Sequence, residues 1–202
     1  MKKYYLFNKP SGCITACRDA RHKTVMDYFD EETARDLFPI GRLDKDTEGM
    51  LIITNDGPLF YELMLPEHKV KKTYFFWALG SISEEKIKEI ESGVSIYNDP
   101  TVVTSPAKFT LLEKKTLYDI KHLLSYEDGK LTRRKGELPV FSALLTITEG
   151  KKHQVKRMIK YAGSRILYLK RVAIGALKLD ESLNPGEYRE RSEDELSLLK
   201  NE

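Results

Sequence analysis

Apolar positions along this chain follow two different periods, which predict strands and helices in alternation. Runs rich in β-branched and aromatic residues, bounded by Gly, Pro, Asn or Asp, predict the strands. These predicted strands are Tyr4–Asn8, Leu51–Thr54, Thr73–Leu79, Phe109–Leu112, Tyr118–Leu124, Phe141–Ile147 and Val172–Leu179. Because their connections have hairpin length, the pattern indicates an α+β protein with a largely antiparallel sheet.

Helices are predicted where apolar residues recur three and four positions apart. Start and stop signals accompany several of them: Thr24 as an N-cap, Pro66 as a terminator and Gly93 as a C-terminal stop. The apolar positions of these helices are Val25–Phe29, Leu59–Met64, Ile87–Ile90 and Val155–Ala162, and a last short helix follows a capping box of Ser192 and Glu195. The polar stretch Glu127–Pro139 contains two glycines and is predicted to be a mobile loop.

Composition places the chain among ordinary globular proteins, with 41% hydrophobic and 32% charged residues in 202 positions. This length suits a single domain over residues 1–202, either one elongated body or two small lobes. No apolar run reaches membrane-spanning length, and Cys13 and Cys17 have no second cysteine pair for a disulfide framework or a zinc site. We therefore expect a cytoplasmic protein with reduced thiols.

Charge is distributed unevenly, although the formal net charge is only +3. Between Lys151 and Arg171 there are eight Lys and Arg residues and no Asp or Glu, so the remainder sums to about −5 by subtraction from +3. Such segregation suits a polyanionic partner such as nucleic acid. A solvated helix face is the alternative interpretation of the same basic run.

The most informative stretch is Gly41–Gly57, where a polar loop leads into the predicted strand Leu51–Thr54. Asp44, Asp46 and Glu48 occupy positions one, three and five of an EF-hand pattern, but Asn55 stands where a bidentate Glu is required. Calcium binding is therefore not expected. Two interpretations stay open: surface salt bridges beside a strand, or one catalytic carboxylate at Asp44 held ionised by the basic helix.

Three ordered motifs resemble the ribosomal RNA pseudouridine synthases of the RsuA type, including RluE-like members. They are Gly41-Arg42-Leu43-Asp44 with Asp46-Thr47-Glu48-Gly49-Met50-Leu51, then Lys72-Thr73-Tyr74, then Glu149-Gly150-Lys151-Lys152-His153-Gln154-Val155-Lys156-Arg157-Met158. The segment Leu6–Gly12 is similar to the opening of that catalytic domain, so the likeness covers nearly the whole chain. It implies the pseudouridine synthase fold, a bent mixed sheet with flanking helices and a central cleft.

The resemblance also implies an activity and its residues. Asp44 matches the nucleophile that acts on a flipped-out uridine, Tyr74 the aromatic residue that stacks on the base, and Lys156 the cation that pairs with the nucleophile. Many relatives carry Arg at the last position, and Lys keeps the charge but loses the planar fork. No metal or organic cofactor is implied, and a monomer acting on ribosomal RNA without a preceding RNA-binding domain is expected.

Further residues are expected to contact RNA around this centre. They are Lys9, Arg42, Lys72, Lys151, Lys152, His153, Gln154 and Arg157. Of these, His153 could equally be a structural histidine, and Gln154 is expected mainly to order the active-site loop. A function of a different class stays open, namely a catalytically silent RNA-binding or ribosome-assembly protein on the same fold.

Overall fold

The computed structural model of the protein describes residues 1–97, 99–191 and 193–200. Two compact units make up the chain: the first comprises Met1–Lys72 and Lys170–Glu202, and the second comprises Thr73–Leu169. Strand β7 contributes its first half to the second unit and its second half to the first.

Nine strands and six α-helices alternate along the described chain. The strands are β1 Tyr4–Lys9, β2 Phe38–Ile40, β3 Glu48–Thr54, β4 Lys72–Leu79, β5 Lys108–Thr116, β6 Pro139–Ile147, β7 Arg165–Ile174, β8 Leu177–Lys178 and β9 Tyr188–Glu190. The helices are α1 Glu31–Ala34, α2 Gly57–Met64, α3 Glu84–Ser92, α4 Tyr126–Lys135, α5 Gln154–Tyr161 and α6 Glu193–Lys200. Short 3-10 turns lie at Val25–Tyr28, Pro66–His68 and Lys121–Leu123.

The sheet of the first unit is built on β1 and β3, which pair antiparallel from Tyr4 opposite Thr54 to Lys9 opposite Gly49. Strand β9 pairs with the other edge of β1, and β2 pairs with the end of β3. The pairing of β3 with β7 is parallel, which makes this sheet mixed. Because side chains alternate along β3, Met50 and Ile52 enter one core cluster while Leu51 and Ile53 enter the other.

In the second unit the strand order is β5-β6-β4-β7. Strands β5 and β6 are antiparallel neighbours, with a bulge between Leu111 and Lys114. Trp77 of β4 packs with Leu117, Ile120 and Val140 in a core of this unit. The α+β class with a mostly antiparallel mixed sheet is thus confirmed.

Several predicted segments differ from the structure. The predicted strand Val172–Leu179 is the end of β7 and the short strand β8, joined by a turn. Residues 118–124 form no strand; the Tyr118 amide donates to the Gly136 carbonyl at 2.9 Å, and a 3-10 turn follows. The predicted loop over 127–139 contains helix α4, because the Ser125 side chain caps it by accepting from the Asp128 amide. Elsewhere the Gly93 stop is confirmed. The segment that follows Thr24 is a 3-10 turn rather than an α-helix, and its start is held by the Thr24 amide, which donates to the Asp27 carboxylate at 2.7 Å. Ser192 of the predicted last capping box lies outside the described residues.

No helix in the described ranges is both long and apolar enough to cross a membrane.

Candidate active site

The residues singled out by the sequence divide between the two units. Asp44, Arg42, Lys9 and Lys72 lie in the first, whereas Tyr74, Lys156 and the other basic positions of residues 151–157 lie in the second. That Asp44, Tyr74 and Lys156 meet at one site stays a prediction.

The loop that carries Asp44 is anchored by the hydroxyl group of Thr15. This hydroxyl donates to the Leu43 carbonyl at 2.9 Å and accepts from the Leu43 amide at 3.1 Å. Both Thr15 and the Leu43 side chain are buried. Because both polar backbone groups of Leu43 are bonded to one side chain, the backbone just before Asp44 is held in place.

The far side of Asp44 is held by backbone hydrogen bonds. The Thr47 amide donates to the Asp44 carbonyl at 3.1 Å, which closes a turn, and the Gly12 amide donates to the Lys45 carbonyl at 2.8 Å. The Asp44 side chain itself is half-buried. A carboxylate is thereby presented from a fixed backbone at the entrance to β3, which is how a reactive group is kept in position.

Lys9 occupies the interior of this loop rather than its surface. Its side chain is fully buried, and its ammonium donates to three backbone carbonyls, of Pro10 at 3.0 Å, Lys45 at 3.3 Å and Thr47 at 2.8 Å. Burial lowers the pKa of Lys9, and the nearby negative charges of Asp46, Glu48 and Asp44 oppose part of that effect. Lys9 was predicted to contact an RNA phosphate. In the structure its buried ammonium instead holds the backbone of the loop together through these three hydrogen bonds.

Arg42 differs from Lys9 in being exposed. Within the described ranges it makes no ion pair or hydrogen bond. Its guanidinium therefore remains available to a ligand beside Asp44.

At Gly49 the backbones of β3 and β7 approach each other closely. Gly49 lies opposite Arg171, and a Cβ atom added at this position would stand 2.3 Å from the Arg171 carbonyl oxygen. Its φ of +101° also belongs to glycine. Both constraints explain the glycine in the motif that begins at Gly41. They also bring Arg171, which the sequence analysis did not single out, to the end of the Asp44 loop.

In the second unit, buried Gln154 organises the turn that leads into helix α5. Its side-chain carbonyl accepts from the Lys151 amide at 2.9 Å, and its side-chain amide donates to Glu149 at 2.7 Å. Glu149 also accepts from the Ser105 amide at 2.9 Å and forms an ion pair with the Lys151 ammonium. These bonds agree with the expectation that Gln154 mainly orders this loop. Lys151, expected to contact RNA, pairs here with Glu149, and its contact with RNA stays a prediction.

Helix α5 has one apolar and one basic side, as its pattern predicted. Val155, Met158 and Ile159 are buried, while Lys156 is half-buried. Lys152 and His153 are exposed in the turn before the helix. His153 has a φ of +54°, a left-handed conformation that is costly for a residue with a side chain. This backbone turns the basic segment sharply into the helix.

Arg157 and Tyr74 are the remaining predicted site residues of the second unit. The Arg157 guanidinium lies 4.5 Å from the ring centroid of Tyr97, a cation–π contact. Tyr74 is a buried residue of β4, and only 8% of its surface is exposed. Its neighbour Thr73 shares a 2.9 Å hydrogen bond with Thr146 of β6, which ties this part of β4 into the sheet of the second unit.

The Asp44 loop is flanked by strands β2 and β3 rather than by two helices, so it has no EF-hand architecture. No group of three or more His, Cys, Asp or Glu side chains suited to a metal ion occurs in the part of the chain that the structure describes. What this loop offers chemically is a positioned carboxylate, which can act as a nucleophile on an electron-poor carbon.

Comparison with known proteins gives consistent matches. A protein family described as RNA pseudouridylate synthase matches residues 3–161. The uncharacterized RNA pseudouridine synthase YtzG of Bacillus subtilis (strain 168) is 43% identical over 197 residues, covering 97% of this chain and 72% of that protein. Ribosomal small subunit pseudouridine synthase A of Escherichia coli (strain K12) is 32% identical over 197 residues, covering 98% and 74%.

A solved structure shares the fold over almost the same length. The crystal structure of a pseudouridylate synthase superposes with a TM-score of 0.80 at 31% sequence identity. The alignment covers 98% of this chain and 74% of that one.

Proposed function

This chain belongs to the RNA pseudouridylate synthase family, and from that membership we propose that it isomerises one uridine of small-subunit ribosomal RNA to pseudouridine. Isomerase activity follows from the family and its named relatives. Ribosomal RNA as the substrate is supported by the relatives named ribosomal small subunit pseudouridine synthase A, which are 32–34% identical to this chain.

The reaction exchanges one bond for another on the same nucleotide. The bond from C1′ of the ribose to N1 of uracil breaks, the base turns over, and a bond from C1′ to C5 forms. The proton on C5 leaves and N1 gains one, so the atoms balance without an oxidant or a co-reactant. We assign the role of nucleophile to Asp44, because a carboxylate suits a carbon that develops positive charge, as in glycoside hydrolysis.

One observation supports this role above the others: the backbone of the Asp44 loop is already fixed in the protein alone. Thr15 bonds both polar groups of Leu43, and buried Lys9 gathers the carbonyls of Lys45 and Thr47 on the other side. A nucleophile held by its scaffold needs no ordering when the substrate arrives. Surface salt bridges alone would not require a fully buried lysine in the loop.

Tyr74 and Lys156 complete the proposed chemistry. A base within a stack cannot react, so the target uridine must be flipped out, and Tyr74 would stack on it and assist removal of the C5 proton. Lys156, on the basic side of α5, would keep Asp44 ionised as a point charge. Arg42, Lys152 and His153 are exposed and would contact phosphates. We expect the enzyme to act as a monomer in the cytoplasm, where the free thiols of Cys13 and Cys17 would stay reduced.

Replacement of Asp44 by Asn tests the assignment. The amide keeps the shape but is not a nucleophile, so pseudouridine formation on a small-subunit ribosomal RNA transcript should fall at least ~10³-fold while RNA affinity changes less than about threefold. Mass spectrometry of the RNA and fluorescence anisotropy give the two readouts. Asp46→Asn, a change to an exposed carboxylate of the same loop, is the matched control and should retain activity.

The outcomes separate the enzyme from a silent RNA-binding or assembly protein. If the wild-type protein binds the transcript but leaves every uridine unchanged, the silent alternative is correct. If Asp44→Asn still makes pseudouridine at the wild-type rate, the nucleophile has been misassigned.

A further inference from the structure

Arg171 of strand β7 is a buried cation with unused hydrogen-bonding capacity. Only 3% of its surface is exposed, and its Nε donates to the Met50 carbonyl of β3 at 2.8 Å. Its Nη2 nitrogen is buried and has no hydrogen-bond partner among the described residues. An unpaired donor on a buried charge is costly, so its retention calls for an explanation.

Lys72, the first residue of β4, carries a second cation close to Arg171. It is half-buried, and its ammonium donates to the Val70 carbonyl at 3.1 Å, which uses one of its three hydrogens. The positive charge of Arg171 acts on Lys72, and neither side chain forms an ion pair within the described ranges. Two like charges thus influence each other while both are partly withdrawn from water.

Comparison with Lys9 shows that burial alone does not explain this pair. The ammonium of Lys9 donates to three carbonyls, so its hydrogens are all used by the fold. Lys72 has one such bond, and Arg171 adds an unpaired nitrogen. The hydrogen-bonding capacity of Lys9 is thus used by backbone carbonyls, whereas Lys72 and Arg171 retain donors that an anion could use.

We propose that Lys72 and Arg171 form a binding site for one backbone phosphate of the substrate RNA, close to the nucleotide on which Asp44 acts. A phosphate supplies the negative charge and the acceptors that the pair lacks. Lys72 contacts it directly, and buried Arg171 contributes its charge and its unpaired nitrogen after a small side-chain adjustment. The identification of the anion as RNA rests on the proposed function.

The position of the pair fits this role. Arg171 of β7 lies opposite Gly49 of β3. Strand β3 begins where the Asp44 loop ends, and Gly49 is five residues after Asp44. Both strands are held at short distance by that glycine. A phosphate at this place would fix the RNA backbone relative to the strand that presents the nucleophile, and so position the target uridine.

Protonation gives this site a measurable signature. Burial and the charge of Arg171 lower the pKa of Lys72 to about 8. The ammonium is therefore charged at pH 7 and largely neutral at pH 9. Because a phosphate favours the charged form, RNA affinity should fall by up to about tenfold as the pH rises from 7 to 9, through this one group. Arginine does not titrate in that range, so Lys72→Arg should lose this part of the pH dependence.

The first experiment measures RNA affinity by fluorescence anisotropy on the full chain, with a small-subunit ribosomal RNA transcript, over a series of KCl concentrations at pH 7 and pH 9. Lys72→Met and Arg171→Met should each weaken binding roughly tenfold at pH 7 and reduce the slope of log Kd against log salt by about 1. Lys88→Met, at an exposed lysine of α3, should change neither. Thermal melts of each variant verify folding, and Arg171→Met should melt no lower than about the wild-type temperature, since it removes an unpaired buried charge.

A second readout does not depend on the RNA. A lysine with a pKa near 8 reacts readily with acetic anhydride at pH 8, and inorganic phosphate or the transcript should protect it. Peptide mass spectrometry would show protection of Lys72 at least about threefold greater than that of Lys88. Equal labelling of both lysines with and without phosphate would overturn the site.

The two proposals fail separately. If the transcript is not modified but phosphate still protects Lys72, the anion site stands and the proposed function does not. If pseudouridine forms while Lys72→Met and Arg171→Met bind RNA with unchanged affinity and salt slope, the function stands and the phosphate site is rejected.

Discussion

The loop that carries Asp44 and the turn that leads into helix α5 are both organised by a buried polar side chain, but with different chemistry. In the loop, the Lys9 ammonium donates only to backbone carbonyls. In the turn, Gln154 connects the Lys151 amide with the carboxylate of Glu149, which also binds Lys151. The first arrangement contains one charge and three neutral acceptors, and the second joins side chains of opposite charge.

This difference in bonding indicates that the Asp44 loop is more rigid than the turn before α5. Release of the buried ammonium would break three hydrogen bonds and leave the Thr47 carbonyl without a donor, so the loop resists opening. The Glu149–Lys151 pair is partly exposed, so solvent competes for it and weakens its contribution. The segment proposed to hold the nucleophile is therefore fixed, whereas the basic segment can adjust to RNA.

The largest effect should come from Lys9→Met, which keeps the length of the side chain but removes three charge-assisted hydrogen bonds and leaves the Thr47 carbonyl without a donor. We expect a loss of about 3–5 kcal/mol of unfolding free energy, measured by urea denaturation. Lys45→Met, at the exposed lysine of the same loop, should cost less than about 0.5 kcal/mol. Equal losses for the two variants would show that the buried ammonium does not organise the loop.

A smaller effect is expected from Thr15→Val, which removes the hydroxyl but keeps the side-chain shape. Both polar groups of Leu43 lose their partner, so stability should fall by about 1–2 kcal/mol. Turnover should fall more than RNA affinity, because the backbone before Asp44 loosens while the cations proposed to contact RNA are unchanged. A loss confined to affinity would contradict the anchoring role.

The smallest effect concerns the turn and depends on pH. Burial would raise the pKa of Glu149, but hydrogen bonds from Lys151 and the Ser105 amide outweigh it and leave the pKa lowered. Its contribution is therefore full above the unfolded pKa of about 4.3 and is lost as the pH falls through the lower folded value. The difference in unfolding free energy between wild type and Glu149→Gln should thus be larger at pH 7 than at pH 3. A difference independent of pH would mean that the carboxylate charge contributes nothing.

Most of the fold could be predicted because local signals agreed with the tertiary structure. Gly93, for example, ends helix α3 as its residue type suggests. The error at residues 118–124 arose because Leu117 and Ile120 are core residues of a turn, and an apolar run does not by itself separate strand from turn. Helix α4 was not predicted because its stretch is polar and contains Gly129, two features that argue against a helix. The Ser125 cap is a helix-start signal, but it was weaker than those two features.

The motifs name the candidate site residues, whose joint role stays a prediction, but they do not show the environment of each side chain. Motifs indicated Lys9, Lys72 and Lys151 alike as cations, since the sequence does not show what accepts their hydrogens. In the structure these acceptors are three carbonyls, one carbonyl and a carboxylate, respectively. Arg171 was overlooked because it lies outside the three motifs, and only strand pairing brings it opposite Gly49.

The contact between Gly49 and Arg171 has a consequence for how this sequence can change. At position 49 even alanine would collide with backbone, whereas a side chain at Gly150 would point into open space. The glycines of the first and third motifs thus differ in their freedom to vary: Gly49 is required by the spacing of two strands, and Gly150 by nothing within the described structure. Variation among descendants of this protein should therefore reach Gly150 long before it reaches Gly49.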